Sequence, residues 1–183
     1  MNKENFIDEM YNVSIIGRSA YSILCLENYI KSKYPYKDWN LLLSRLWEIT
    51  SVDSIDKDWW YPVQEIIPEY LFEFDNYEDS DFEYLSKSEY NKFIELYKDV
   101  KNDSNLCMII KTIWDSIGNV LYGLLIDNGK IMSEQIYSNI VTILERNHIS
   151  LPSIDIVKFS SFSEYNGWGN SFDGTKLSQF QIK

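Results

Sequence analysis

Residues 103–127 read DSNLCMIIKTIWDSIGNVLYGLLID, and this stretch decides the fold class. Leu106, Ile109, Ile110, Ile113, Ile117, Val120, Leu121 and Leu124 recur at the three- and four-residue spacing of one helix face. The pattern predicts a long amphipathic helix from about Asp103 to Asp127. Gly118 and Gly123 interrupt it, each at a cost of about 1 kcal/mol relative to Ala, and mark places for a neighbouring backbone to come close. Asn128-Gly129 supplies a stop. Beyond it, Ile136, Ile140, Ile143 and Leu144 repeat the pattern in a further helix from about Ser133. The short connection pairs the two helices.

Upstream the same period returns. Ile16, Ala20, Ile23, Leu24 and Ile30 predict a helix over 14–33 that ends at Tyr34-Pro35. Trp39, Leu42, Leu43, Leu46 and Trp47 predict another, with Asp38 as its N-cap. Pro62 and Pro68 suit the first turns of two short helices, the second running over 65–74. Ser86 and Glu89 have capping-box spacing ahead of Tyr90, Phe93, Ile94 and Tyr97. The expectation is a mainly α chain with one domain over 1–183. About six unequal helices form a body over 1–148. An irregular wrap rich in glycine and aromatics follows over 149–183, anchored by Trp168 and Phe172. The alternative is a small β-hairpin within 154–172.

The chain has 183 residues, a formal net charge of −11, and 45% apolar and 16% aromatic residues, enough to build a core. The charge is not spread evenly. Residues 51–100 carry four basic and fourteen acidic side chains, while the other segments are close to neutral. Glu65, Glu69, Glu73, Asp75, Glu78, Asp79, Asp81 and Glu83 follow one another with no lysine or arginine between them. Such a run is either a solvated surface or a face covered by a cationic partner. Tyr70, Phe72, Phe74, Tyr77, Phe82 and Tyr84 are interleaved with it. Aromatics anchor interfaces and charges steer association, although the same rings also suit a core.

Several function classes are disfavoured. A negative chain repels phosphate backbones, so direct nucleic-acid binding is not expected. Two cysteines, Cys25 and Cys107, and one histidine, His148, cannot supply a thiolate zinc site or a histidine pair. Cys25 and Cys107 read as buried thiols in helices, and His148 as a helix-end residue. No phosphate loop, dinucleotide fingerprint or nucleophile elbow occurs. Residues 75–81 resemble a calcium loop only faintly, with Ser80 where glycine is required. Trp59-Trp60 reads as core before ligand platform. Lys111 and Asp115 sit inside the most apolar stretch, which argues against a membrane span. Glu4, Asp8 and Glu9 break any leader-like segment. These features lead to the expectation of a cytoplasmic chain that is not an enzyme and uses no catalytic residue, metal or cofactor.

The Trp-Trp-Tyr-Pro element at 59–62, the Phe-Asp-Asn-Tyr-Glu-Asp-Ser-Asp-Phe stretch at 74–82 and the Gly-Trp-Gly-Asn-Ser-Phe-Asp-Gly tail at 167–174 resemble immunity proteins of bacterial polymorphic-toxin systems. The resemblance lies in the general character of the whole chain. It implies a cytoplasmic protein that binds a cognate, basic toxin domain and neutralises it. The residues expected to meet that partner are Asp75, Tyr77, Glu78, Asp79, Asp81, Glu83 and Trp168. The alternatives are a metal-dependent hydrolase built on the acidic-loop carboxylates and an acidic mimic of nucleic acid.

Overall fold

The structure, a computed structural model, describes residues 2–123 and 125–182. It is mainly helical, and no strand forms among the described residues. The helices are α1 (Lys3–Met10), α2 (Ile15–Lys33), α3 (Asn40–Trp47), α4 (Tyr61–Gln64), α5 (Pro68–Leu71), α6 (Lys87–Tyr97), α7 (Ser104–Leu121), α8 (Lys130–Ile136) and α9 (Thr142–Arg146). A π turn, Asp56–Trp60, runs into α4, and another, Tyr137–Val141, joins α8 to α9 in one rod.

The centre of the molecule is α2, which packs against α3, α7 and the turn after α8. It is capped by Ser14, whose Oγ accepts from Gly17 N at 2.9 Å. The apolar stripe read from the sequence underestimates this helix. Fifteen of its residues are buried, so it is enclosed on nearly every side. Arg18 and Glu27 are therefore carried inside with it.

Arg18 is fully buried. It donates to Gly129 O at 2.7 Å and Tyr11 O at 3.3 Å, and it faces the Phe162 ring at 5.4 Å. Its Nε has no hydrogen-bond partner among the described residues. Burial lowers the guanidinium pKa to about 10.

The long predicted helix forms, with Asp103 as its cap, but it stops at Leu121. Asp127, Asn128 and Gly129 adopt left-handed backbone and turn the chain into α8, three residues ahead of the expected start. Leu124, read as part of the α7 stripe, lies outside the described residues. Gly118 admits a side chain and not a backbone. A Cβ there would lie 2.8 Å from Trp60 Nε1, and this room lets Trp60 stack on Trp114 at 4.7 Å.

Other local readings shift for identifiable reasons. The helix expected over 65–74 shortens to α5, because Pro68 holds Ile67 in extended backbone. Pro62 takes a first-turn position in α4, as read, but α4 continues from a preceding turn. It follows the π turn, whose altered hydrogen bonding tolerates the missing N–H. Asp38 accepts from Asn40 N at 3.0 Å, one residue ahead of the formal cap, Trp39. The Ser86 capping box forms as read. The short helix α1, capped by Asn2, is absent from the sequence reading. It seats Phe6 against Tyr21 and Tyr137.

The β-hairpin alternative does not form. Residues 154–172 hold 3-10 turns at Ile154–Ile156 and Tyr165–Gly167, and the strand-like pairing is one bridge, Val13 to Ser161. The wrap nevertheless folds back over the helices. Ile16 N donates to Trp168 O at 3.1 Å, and Phe172 N to Thr50 O at 2.8 Å. Trp168 and Phe172 are half-buried. Trp59 is core, donating to the Arg45 and Leu46 carbonyls, while Trp60 is only half-buried. Cys25 is buried, but Cys107 is only half-buried. His148 is exposed in the turn after α9. Among the described residues no helix is long and apolar enough to cross a membrane.

Candidate functional site

The acidic segment leaves α5 and returns to α6 through an open loop. Between Phe72 and Asp75, and again between Asp81 and Glu83, rings and carboxylates alternate residue by residue. The segment is mostly turn and bend, and exposure alternates along it. Phe72, Phe74 and Phe82 are half-buried, while Glu73, Asp75, Asp81 and Glu83 are exposed. The rings then cluster. Phe74 meets Phe82 edge-on at 5.7 Å, and Phe82 and Tyr77 both approach Tyr90 of α6, at 5.9 and 5.7 Å. Aromatic packing thus holds the loop down and leaves the charges in water.

Glu65 closes the far end. Its carboxylate accepts the backbone N–H groups of Glu83, Tyr84 and Leu85 at 2.7, 2.9 and 2.7 Å. This acid belongs to the loop's scaffold and not to its free charge. Glu69 and Glu78 are also occupied, by Lys111 and Lys87. Asp79 accepts from Asn76.

An open cleft of about 400 Å³ results between α4, α5 and the loop. Its walls are Tyr61, Tyr70, Phe74, Phe82 and Tyr84, and its rim carries Glu73, Asp81 and Glu83. No lysine or arginine among the described residues lines it. Among the described residues none of the three rim carboxylates has an ion-pair partner. The cleft therefore presents π faces beneath uncompensated negative charge, the arrangement that attracts a guanidinium or an ammonium group.

Only part of the expected contact set meets here. Asp81 and Glu83 line the cleft. Asp75, Tyr77, Glu78 and Asp79 do not: Tyr77 is a structural ring, and Glu78 and Asp79 are tied within the loop. Trp168 lies in a different groove, with Ile16, Ile55 and Leu121. Glu73, Tyr61, Tyr70, Phe74 and Tyr84 complete the cleft and were not singled out as contacts. The alternation of rings and acids is the sequence signal of Glu73, Tyr70, Phe74 and Tyr84; Tyr61 lies outside it, in the Trp-Trp-Tyr-Pro element. Among the described residues no three His, Cys, Asp or Glu side chains converge to hold a metal ion, so the carboxylate hydrolase alternative gains no support from the geometry.

Comparison of the chain with protein-family models, with curated proteins and with solved structures finds no match.

Proposed function

We propose that this chain is a stoichiometric binding protein of the immunity type, which captures a basic toxin domain and neutralises it. The cleft is its contact surface. One observation carries the reading: three rim carboxylates with no ion-pair partner among the described residues stand over an aromatic-walled cleft that the fold holds open. A cationic side chain entering there gains Coulomb attraction and ring contact together. The surrounding field speeds encounter by about 10- to 1000-fold at low salt, and buried rings slow release.

The test is co-expression with the product of the reading frame immediately upstream of the gene, scoring growth. The product is expected to kill alone and to be tolerated with this chain. The triple variant Glu73→Gln/Asp81→Asn/Glu83→Gln is then expected to keep its thermal midpoint. It loses association rate about tenfold or more, along with most of the salt dependence. An unchanged rate and salt slope removes the cleft from the mechanism. No toxicity from the product, or no complex with it, removes the immunity reading.

A further inference from the structure

A second groove, of about 420 Å³, opens where the carboxy-terminal wrap crosses the start of α2. We infer that this groove receives an arginine or lysine side chain of the same basic partner, between the rings of Trp168 and Tyr165 and the carboxylates of Asp53 and Asp56. Naming the partner rests on the function proposed above; the groove's chemistry does not.

The groove has two characters. Its base is apolar, with Ile55 and Leu121 beside Trp168. Its mouth is acidic, and among the described residues no lysine or arginine lines it. Asp53 is exposed with no ion-pair partner among the described residues, and Asp56 accepts the Ser54 hydroxyl and backbone N–H groups at the start of the π turn, beside the charge of Lys57. The Ser54 hydrogen bond first, then the backbone N–H groups and Lys57, hold the Asp56 carboxyl below its usual range, so it is charged at neutral pH. A long alkyl stem ending in a cation satisfies both parts: the stem covers the apolar base and the head reaches the carboxylates. An apolar side chain would leave the carboxylates beside a dry plug, and an acidic one would be repelled.

The wrap fixes the wall rigidly. Tyr165, Asn166, Gly167 and Gly169 have positive φ. A Cβ at Gly169 would come within 2.4 Å of Ser14 Oγ, so the wrap is seated directly on the cap of α2. Tyr165 is held over the groove while 78% exposed, and its ring adds little to the core. A run of tyrosine contacts lies between the groove and the acidic cleft. Tyr84 and Tyr61 lie parallel at 6.4 Å, and Tyr122 donates to Tyr61 Oη at 3.0 Å. Tyr122 follows Leu121, which lines the groove. One partner laid along this tyrosine ridge reaches both sites, and two linked contacts bind more tightly than either alone.

The experiment uses the full chain, isotope-labelled for NMR, with amidated tetra-arginine as the probe. The Trp168 indole resonance is assigned from its loss in Trp168→Phe. Tetra-arginine is expected to shift it saturably, and tetra-glutamate to leave it in place. Asp53→Asn/Asp56→Asn is expected to weaken the tetra-arginine response about fivefold or more, the scale of an ion pair of about 1 kcal/mol. The triple cleft variant is expected to retain the response. A Trp168 resonance silent to tetra-arginine, or one shifted equally in the Asp53/Asp56 variant, overturns the inference whatever the cleft does. A saturable response in a chain that protects against no toxin overturns the proposed function and leaves this groove standing.

Discussion

Glu27→Ala tests how the wrap is fastened to the body. Glu27 is fully buried on α2. Its Oε1 accepts from Trp47 Nε1 at 2.9 Å and from Ser178 Oγ at 2.5 Å, and its Oε2 from Gln179 N at 2.8 Å. Truncation strands Trp47 Nε1 in a site where the indole is 1% exposed, at a cost of about 1–3 kcal/mol. Ser178 is half-buried and Gln179 exposed, so both regain water, and each loss is about 0.5–1.5 kcal/mol. Removing a buried charge returns part of this. The net expectation is a loss of about 2–4 kcal/mol. For a chain of this length, that lowers the thermal midpoint by roughly 5–15 °C. Thermal unfolding measures the loss. Amide hydrogen exchange is expected to show residues 172–180 opening ahead of α2 and α7. A loss under about 1 kcal/mol, or uniform exchange, refutes the fastening.

The same group sets a pH dependence. Burial raises the Glu27 carboxyl pKa, against hydrogen bonds from Ser178, Gln179 and Trp47 and the charge of Lys31. The folded state therefore holds this proton more tightly than the unfolded chain does. The stability it contributes is fully present below the ordinary carboxyl range and is lost as pH rises through the raised folded value. Glu27→Gln does not titrate. Wild type is thus expected to lose stability relative to Glu27→Gln as pH rises from that range, read as urea midpoints across a pH series. A difference that moves the other way refutes the assignment.

Glu65→Ala removes the acceptor of three backbone N–H groups, strands that of buried Leu85, and frees the 83–85 end of the loop. It is expected to cost about 2 kcal/mol in urea unfolding and to weaken binding at the cleft although it removes no rim charge. Gly169→Ala places a Cβ against Ser14 at a φ of +86°. The expected loss is about 2 kcal/mol or more by thermal unfolding, with a displaced Trp168 indole resonance. Arg18→Lys cannot fork between Gly129 O and Tyr11 O and buries a more strongly hydrated cation. A loss of about 1–3 kcal/mol in urea midpoints is expected.

Local chemistry was legible in the sequence. Ser86 and Glu89 form their capping box across three residues, and the periodic apolar positions from Leu106 to Ile117 are buried as their spacing requires. The helical class followed, because each such signal is settled within a few residues of chain. The acidic excess over 51–100 was visible too, since charge is a property of composition.

What those charges do was decided by distant contacts. Glu65 is scaffold because it meets the backbone eighteen to twenty residues away, and Glu78 is neutralised by Lys87. Only then do Glu73, Asp81 and Glu83 remain as a free rim. Arg18 and Glu27 lie outside the apolar stripe that the sequence shows for α2. They are buried because α2 is enclosed by α3, α7 and the wrap, which no period along α2 itself encodes. Trp168 was recognised as an anchor, but its groove exists only where residues 165–171 meet residues 16, 52–56 and 121. Spacing along the chain specifies which face of an element is apolar; packing between elements decides which polar groups that face carries inside and which are left for a partner.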